Sequence, residues 1–279
     1  MSLGRRTVRD AVYGVAVGDA LGVPAEFKAR DTYRIEGMTG RGTYDKPVGT
    51  FSDDTSLTLA TSNSIRICKG IDIDDMRERY RAWLRDGAYV PDGESFGVGR
   101  TTAAALDRGR GLDGERDNGN GSLMRIVPLA FVDGVTDGQI EAVSAITHAH
   151  AISKRACVIY VRIAQRLLAG ASVAEAIESV VEPEAKPPFD RLSCIACLSR
   201  DEIRSSGYVV DTLEAALWCL AVTDRFGDAV LAAVNLGDDS DTVGAVAGGL
   251  AGVAYGYDAI PSEWIRALRG RGMLEASLF

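Results

Sequence analysis

Glycine recurs every fourth residue at two places in this chain: Gly14, Gly18 and Gly22 near the start, and Gly244, Gly248, Gly252 and Gly256 near the end. Each glycine inside a helix costs about 1 kcal/mol relative to alanine. The usual offset is close approach of another backbone. In a bilayer such a ladder marks a dimerising helix. The apolar run around the second ladder, Val243 to Tyr257, is too short to span a membrane. The ladders therefore predict two glycine-faced helices buried at the centre of a water-soluble protein, with no membrane partner.

The rest of the chain reads the same way. Strand-like alternation is scarce and helical spacing is common. In Ile152 to Leu168, Ile152, Ile159, Ile163 and Leu167 share one face, with Arg155, Arg162 and Arg166 elsewhere. Asp72 to Arg85, Asp137 to Ala149, Val173 to Val181, Asp211 to Val222 and Ser262 to Arg269 also read as helices. Most of the prolines fall between periodic segments, and Pro128 starts or kinks one. No linker divides the chain, and 46% of its 279 residues are hydrophobic, enough for a sizeable core. The expectation is an all-α fold: one domain over residues 1–279, a compact orthogonal bundle of roughly a dozen helices.

The net charge of -8 argues against a broad nucleic-acid surface. It does not exclude an anionic small ligand, because bound cations change the local sign. Met1 to Arg6 run straight into a helical pattern with no signal-peptide core. The five scattered cysteines fit reduced thiols in a cytoplasmic protein. Cys194 and Cys197 form a CxxC without further zinc ligands or a thioredoxin-like setting, so they read as core thiols on a helix face.

Two acidic clusters, Ser52-Asp53-Asp54-Thr55 and Asp238-Asp239-Ser240-Asp241-Thr242, each precede a helical run. The ordinary reading is helix capping, with acids favoured in the first turn. Yet capping needs one or two acids, and the second cluster has three. Both also pair carboxylates with hydroxyls and hold no basic residue. Adjacent carboxylates repel unless water or a cation screens them, and together the clusters would make an all-oxygen site for hard divalent cations. The first ladder contains Asp19 and leads to Glu26, while the second follows directly from Asp241. Packed ladders would therefore bring these acids together. Asp239 to Val243 also fits the D-x-D-x-[T/V] pattern of aspartate-nucleophile phosphohydrolases, but that chemistry needs a buried strand upstream, where Asn235-Leu236-Gly237 stands.

Asn118-Gly119-Asn120-Gly121-Ser122 is either a plain loop or one whose N–H groups cradle phosphate at a helix start. No Walker A or dinucleotide-binding signature appears. His148 and His150 lack a nearby third metal ligand, so a ligand-contacting histidine and an ordinary hydrogen-bonded one are both open.

Taken in order, these pieces resemble the ADP-ribosylglycohydrolases, which include dinitrogenase-reductase-activating glycohydrolase and the ADP-ribosylarginine and ADP-ribosylserine hydrolases. The matching segments are Gly14 to Glu26, Ser52 to Thr55, Gly119 to Arg125, His148, Gly207-Tyr208-Val209 and Gly237 to Thr242. The resemblance covers nearly the whole chain. It implies an all-α fold and two divalent cations, Mg²⁺ or Mn²⁺, held by Ser52, Asp53, Asp54, Asp239, Asp241 and Thr242. It implies that Glu26 handles protons or gates the site, with Asp53 a second catalytic candidate. It places Gly119, Asn120, Gly121, Ser122, Met124, His148 and Tyr208 against ADP-ribose, and the leaving group along Trp83 to Gly99. The implied activity is hydrolysis of the glycosidic bond joining ADP-ribose to an acceptor. That acceptor is a protein, arginine-linked by preference, or a small conjugate, and the enzyme is expected to be a monomer. A non-catalytic ADP-ribose-binding protein and a metal-dependent phosphohydrolase are the competing readings.

Overall fold

The first glycine ladder lies on α1 (Val8–Gly22) and the second on α10 (Ser240–Tyr255) in the computed structural model, which describes residues 6–184 and 186–279. The run-in at Met1 to Arg5 lies outside the described residues. The two helices pack backbone on backbone. A methyl group at Gly18 would coincide with the Gly244 carbonyl, and one at Gly248 with the Gly14 carbonyl. Gly256 is not a rung of the ladder. At φ 90° it ends α10.

Around this pair the other helices form the bundle: α2 (Asp53–Cys68), α3 (Ile73–Asp86), α4 (Arg100–Arg108), α5 (Asp137–Ser144), α6 (Ala151–Leu168), α7 (Val173–Val181), α8 (Val209–Ala221), α9 (Phe226–Val234), α11 (Ser262–Ala267) and α12 (Arg271–Ser277). The described residues contain isolated backbone bridges and no β-strand. The fold is all-α, as expected. The central pair is almost wholly buried, and α2, α8 and α9 pack against α10. No helix among the described residues is long and apolar enough to cross a membrane.

Three expectations are corrected. The helix expected over Asp137 to Ala149 stops at Ser144. Beyond it the chain exchanges backbone hydrogen bonds with Leu112, which donates to Thr147 O and accepts from Ala149 N. That pairing holds the segment out of the helix and turns His148 inward. Cys194 and Cys197 are exposed, not core thiols, because their short 3₁₀ segment packs on α8 through Leu192 and Ile195 instead. Trp83 is fully buried in α3 and cannot meet a leaving group.

Candidate metal and ligand site

The floor of the site is built by three helix ends. Asp19, near the end of α1, accepts hydrogen bonds from Ser52 N (2.9 Å), Thr55 N (2.9 Å) and Thr55 Oγ1 (2.6 Å). It thereby caps α2 from another helix, the last turn of one aiming the first turn of the next. Ser52 is the local cap, and its hydroxyl also donates to Asp54 Oδ2 at 2.9 Å. The first cluster is therefore partly a cap, but Asp54 Oδ1 is buried with no hydrogen-bond partner.

The second cluster caps only in part, Asp241 Oδ1 accepting from Thr242 N at 2.9 Å in the first turn of α10. Asp239 occupies the cap position of α10, but its side chain makes no capping bond. Its Oδ2 instead accepts from Asn120 Nδ2 at 2.8 Å. The seat of α10 is fixed by Ser240 Oγ, which donates to Gly22 O at 3.0 Å. After α1 the chain pairs with Asp238: Phe27 N donates to Asp238 O and Asp238 N to Lys28 O. This brings Glu26 alongside Asp239 and Asp241.

Two carboxylate triads result. Single oxygens of Asp19, Asp54 and Asp241 lie within 4.8 Å of one another, and so do oxygens of Glu26, Asp239 and Asp241. Asp241 belongs to both. The electrostatics follow from this crowding. Burial first, then the neighbouring carboxylates, hold Asp53, Asp54 and Asp241 well above the usual carboxylate range. Burial lifts Glu26 to about 7 and Asp19 to about 6, the latter against the hydrogen bonds from Thr55 and Ser52. No lysine or arginine is among the main causes of any of these shifts. Buried carboxylates are stable when paired or metal-bound. Converging oxygens, the two orphaned atoms Asp54 Oδ1 and Glu26 Oε2, and a donor set of carboxylates and hydroxyls all fit a hard divalent cation.

Above the floor lies a cavity of about 540 Å³, within the range of small-molecule sites. Glu26, Asp53, Asp239, Asp241 and Thr242 reach it from below, while Gly119, Asn120, Gly121, Met124 and His148 line one wall. Phe27, Tyr44 and the Gly97 to Thr102 segment complete the rim. The glycine loop is strapped down by a bridge between Gly119 and Tyr208, in which Asn120 N donates to Gly207 O and Val209 N to Asn118 O. A larger hollow of about 930 Å³ sits elsewhere on the surface, around the Arg200–Asp31 ion pair, and has no converging acids.

Comparison with known proteins agrees with this geometry. The profile of the ADP-ribosylglycohydrolase family matches residues 2–278. The chain belongs to the ADP-ribosylglycohydrolase family. Among this family's members, ADP-ribosylarginine hydrolase Tri1 of Serratia proteamaculans is 36% identical over 276 residues, covering 93% of this chain and 74% of that protein. ADP-ribosyl-[dinitrogen reductase] glycohydrolase of Rhodospirillum rubrum is 33% identical, covering 92% of this chain and 88% of its own length. A solved ADP-ribosylglycohydrolase-related protein complex superposes with a TM-score of 0.83 at 31% identity, covering 99% of this chain and 97% of that one.

Within this ADP-ribosylglycohydrolase the expected site residues do not all stand in the pocket wall. Ser52 and Asp54 lie beneath it. Ser122 is fully buried behind the loop, its hydroxyl turned to Ser144 at 2.8 Å. Tyr208 is half-buried and meets the loop through its backbone. Of the segment expected to face the leaving group, Gly97, Val98 and Gly99 line the cavity. A Cβ at Gly97 would press on Asp53 Oδ1, so glycine there permits the approach.

Three participants had no local signal. Asp19 was visible only as an acid inside a ladder, and its role depends on hydrogen bonds reaching 33 and 36 residues along the chain. Tyr44 faces the Glu26 carboxyl, and with burial that neighbour raises its hydroxyl pKa. Phe27 stands 69% exposed at the rim, in the left-handed region at φ 64°. Only its periodicity-free position after α1 could have marked it.

Proposed function

We propose that this chain hydrolyses the glycosidic bond between ADP-ribose and a modified protein, arginine-linked ADP-ribose by preference, and so reverses ADP-ribosylation. The observation that carries the reading is the meeting of two acidic clusters, from opposite ends of the chain, beneath a pocket walled by a glycine loop. The arginine preference rests on the similarity to the ADP-ribosylarginine hydrolases of Serratia proteamaculans and Pseudomonas putida.

Ser52, Asp53, Asp54, Asp239, Asp241 and Thr242 are the residues we assign to two divalent cations, Mg²⁺ or Mn²⁺. When bound, such a pair polarises ligand oxygens and lowers the pKa of a bound water. The chain's own groups do the rest. Asp19 aims α2 and its carboxylates at the floor. Glu26 reaches the cavity with Oε2 free of any hydrogen bond, and its pKa near neutrality suits a group that takes and returns a proton there. Asp53, also in the cavity wall, is the second candidate. The positive charge that develops at the ribose C1 as the bond breaks is stabilised by these carboxylates. The Gly119–Ser122 loop and His148 hold the ADP-ribose remote from the breaking bond, where binding energy positions the reacting centre. Residues 1–279 are read as one catalytic domain. One chain supplies both clusters, which supports a monomer, and its five free thiols fit the cytoplasm.

The test presents ADP-ribosylated arginine, serine, nucleobase and ester conjugates with Mg²⁺ or Mn²⁺ and measures release of free ADP-ribose. Arginine conjugates are expected to be cleaved, with full loss of turnover in chelator. Binding of ADP-ribose without turnover would assign a reader, and release of inorganic phosphate a phosphohydrolase.

A further inference from the structure

Behind the pocket wall lies a buried guanidinium that pairs with no carboxylate among the described residues. Arg125 is fully buried beside the glycine loop, stacked 4.6 Å from the Tyr80 ring centroid. Its Nη1 donates to Gly121 O, and its Nη2 donates to Thr147 Oγ1 at 2.8 Å. Thr147 is also fully buried, and its hydroxyl has one further partner among the described residues: Oγ1 lies 2.8 Å from His148 Nδ1.

Proton counting along this row decides the state of the imidazole. A guanidinium only donates, so Thr147 Oγ1 accepts from Arg125. The hydroxyl proton then needs an acceptor, and His148 Nδ1 is the one within reach. If Nδ1 carried a proton instead, two donors would point at Thr147 and its own proton would be stranded in a dry interior, which buried polar groups avoid. Nδ1 must therefore be bare, and the ring's single proton sits on Nε2. That nitrogen has no hydrogen-bond partner among the described residues. It lies at the cavity wall against the loop, 3.6 Å from where a Cβ of Gly119 would stand. A ring cation is disfavoured as well, since burial and the Arg125 charge push His148 down to about 3.

We propose that Arg125 and Thr147 are positioning residues that lock His148 as a neutral imidazole with Nε2–H facing the pocket, a donor reserved for an acceptor atom of the bound ADP-ribose. The ligand half of this statement rests on the proposed function; the tautomer does not. The imidazole then offers the ligand a donor at this wall, and Arg125 supports it as a fixed positive charge one layer behind. Together with Arg100 at the rim, the arrangement supplies charge complementarity for a diphosphate-bearing ligand.

The chain has only two histidines, so the ring nitrogens can be read directly. Protein labelled with 15N-histidine, with His150→Gln to assign the signals, should show His148 Nδ1 unprotonated and Nε2 protonated from pH 5 to pH 8, with no ligand added. A protonated Nδ1, or a ring that becomes cationic in that range, overturns the lock. Thr147→Val should mix the two tautomers and weaken ADP-ribose binding about tenfold, the loss of one hydrogen bond of roughly 1.4 kcal/mol. Thr147→Ser, which keeps the hydroxyl, should restore both. A valine variant with wild-type tautomer and affinity, or a serine variant that behaves like valine, also overturns it. Failure of wild-type protein to bind ADP-ribose would sink the ligand reading and leave the nitrogen spectrum to judge the lock.

Discussion

The two central helices meet in two chemistries within a few turns of each other. Between Gly14, Gly18, Gly244 and Gly248 the contact is neutral, dry and made of backbone alone. At Gly22 it passes over to Ser240 and Asp241, and the same pair frames crowded carboxylates whose charged forms repel. The first region is tight because nothing lies between the helices. The second is held apart from collapse, and together against repulsion, by the first. The lesson is that a site made of like charges needs a rigid neutral seam beside it, since its own side chains supply little cohesion until a cation arrives.

Removing acids should break the charged half alone. Asp54→Ala and Asp241→Ala are expected to abolish metal-dependent turnover while the circular dichroism spectrum stays native. Full activity in either variant, or in chelator, would sink the metal assignment. Filling the neutral half should damage both. Gly18→Ala forces the Gly244 carbonyl away, and overpacking of this kind costs about 3 kcal/mol. Urea unfolding should show that loss, with metal affinity falling alongside; an unchanged midpoint would mean the seam can shift.

Asn120 sits between the two functions of the pocket, bonded to Asp239 and Thr212. Asn120→Ala is expected to lower metal affinity or activity about 10–100-fold, the usual effect of removing a partner of a metal ligand. Isothermal titration with Mn²⁺ would measure it, and an unchanged affinity would make Asn120 a loop strap only.

The pH response of metal-free protein isolates the charged half further. Glu26, raised to about 7, and Asp53, Asp54 and Asp241, raised well above the ordinary range, hold protons in the folded chain that the unfolded chain has released. Their stabilisation is present below about pH 4 and is lost as pH rises through the folded values. His148 works in the opposite sense, but only below about 6.5, where its unfolded form gains a proton. From about pH 6.5 upward, melting temperature in chelator should therefore fall, and saturating Mg²⁺ should remove the slope. A flat or rising curve in chelator would contradict the crowding. The smallest effect is expected far from both regions. Cys194→Ser and Cys197→Ser should change stability by about 0.5 kcal/mol or less in thermal melts, being exposed.

Much of this was legible in the residues. A ladder of glycines states its own requirement for a partner backbone, and an excess of acids over caps states its need for a cation. What stayed hidden has a common physical origin. Asp19 as a cap of α2, the end of α5 at Ser144 and the Arg125–Thr147–His148 row all depend on hydrogen bonds between groups from separate segments. Local propensity carries no trace of those. The cysteines misled for a related reason: spacing of three residues fixes a shared face, but not whether that face looks in or out.

Asp241 joins both carboxylate triads, and it stands 187 residues after Asp54. A ribosome therefore releases the first acidic cluster long before the second exists. The early half can cap its helix and wait, but it has no complete cation cage to close. On the proposed metal assignment, cation capture becomes a late event of biogenesis, possible only once α10 has packed on α1 and brought Asp241 to Asp19 and Asp54.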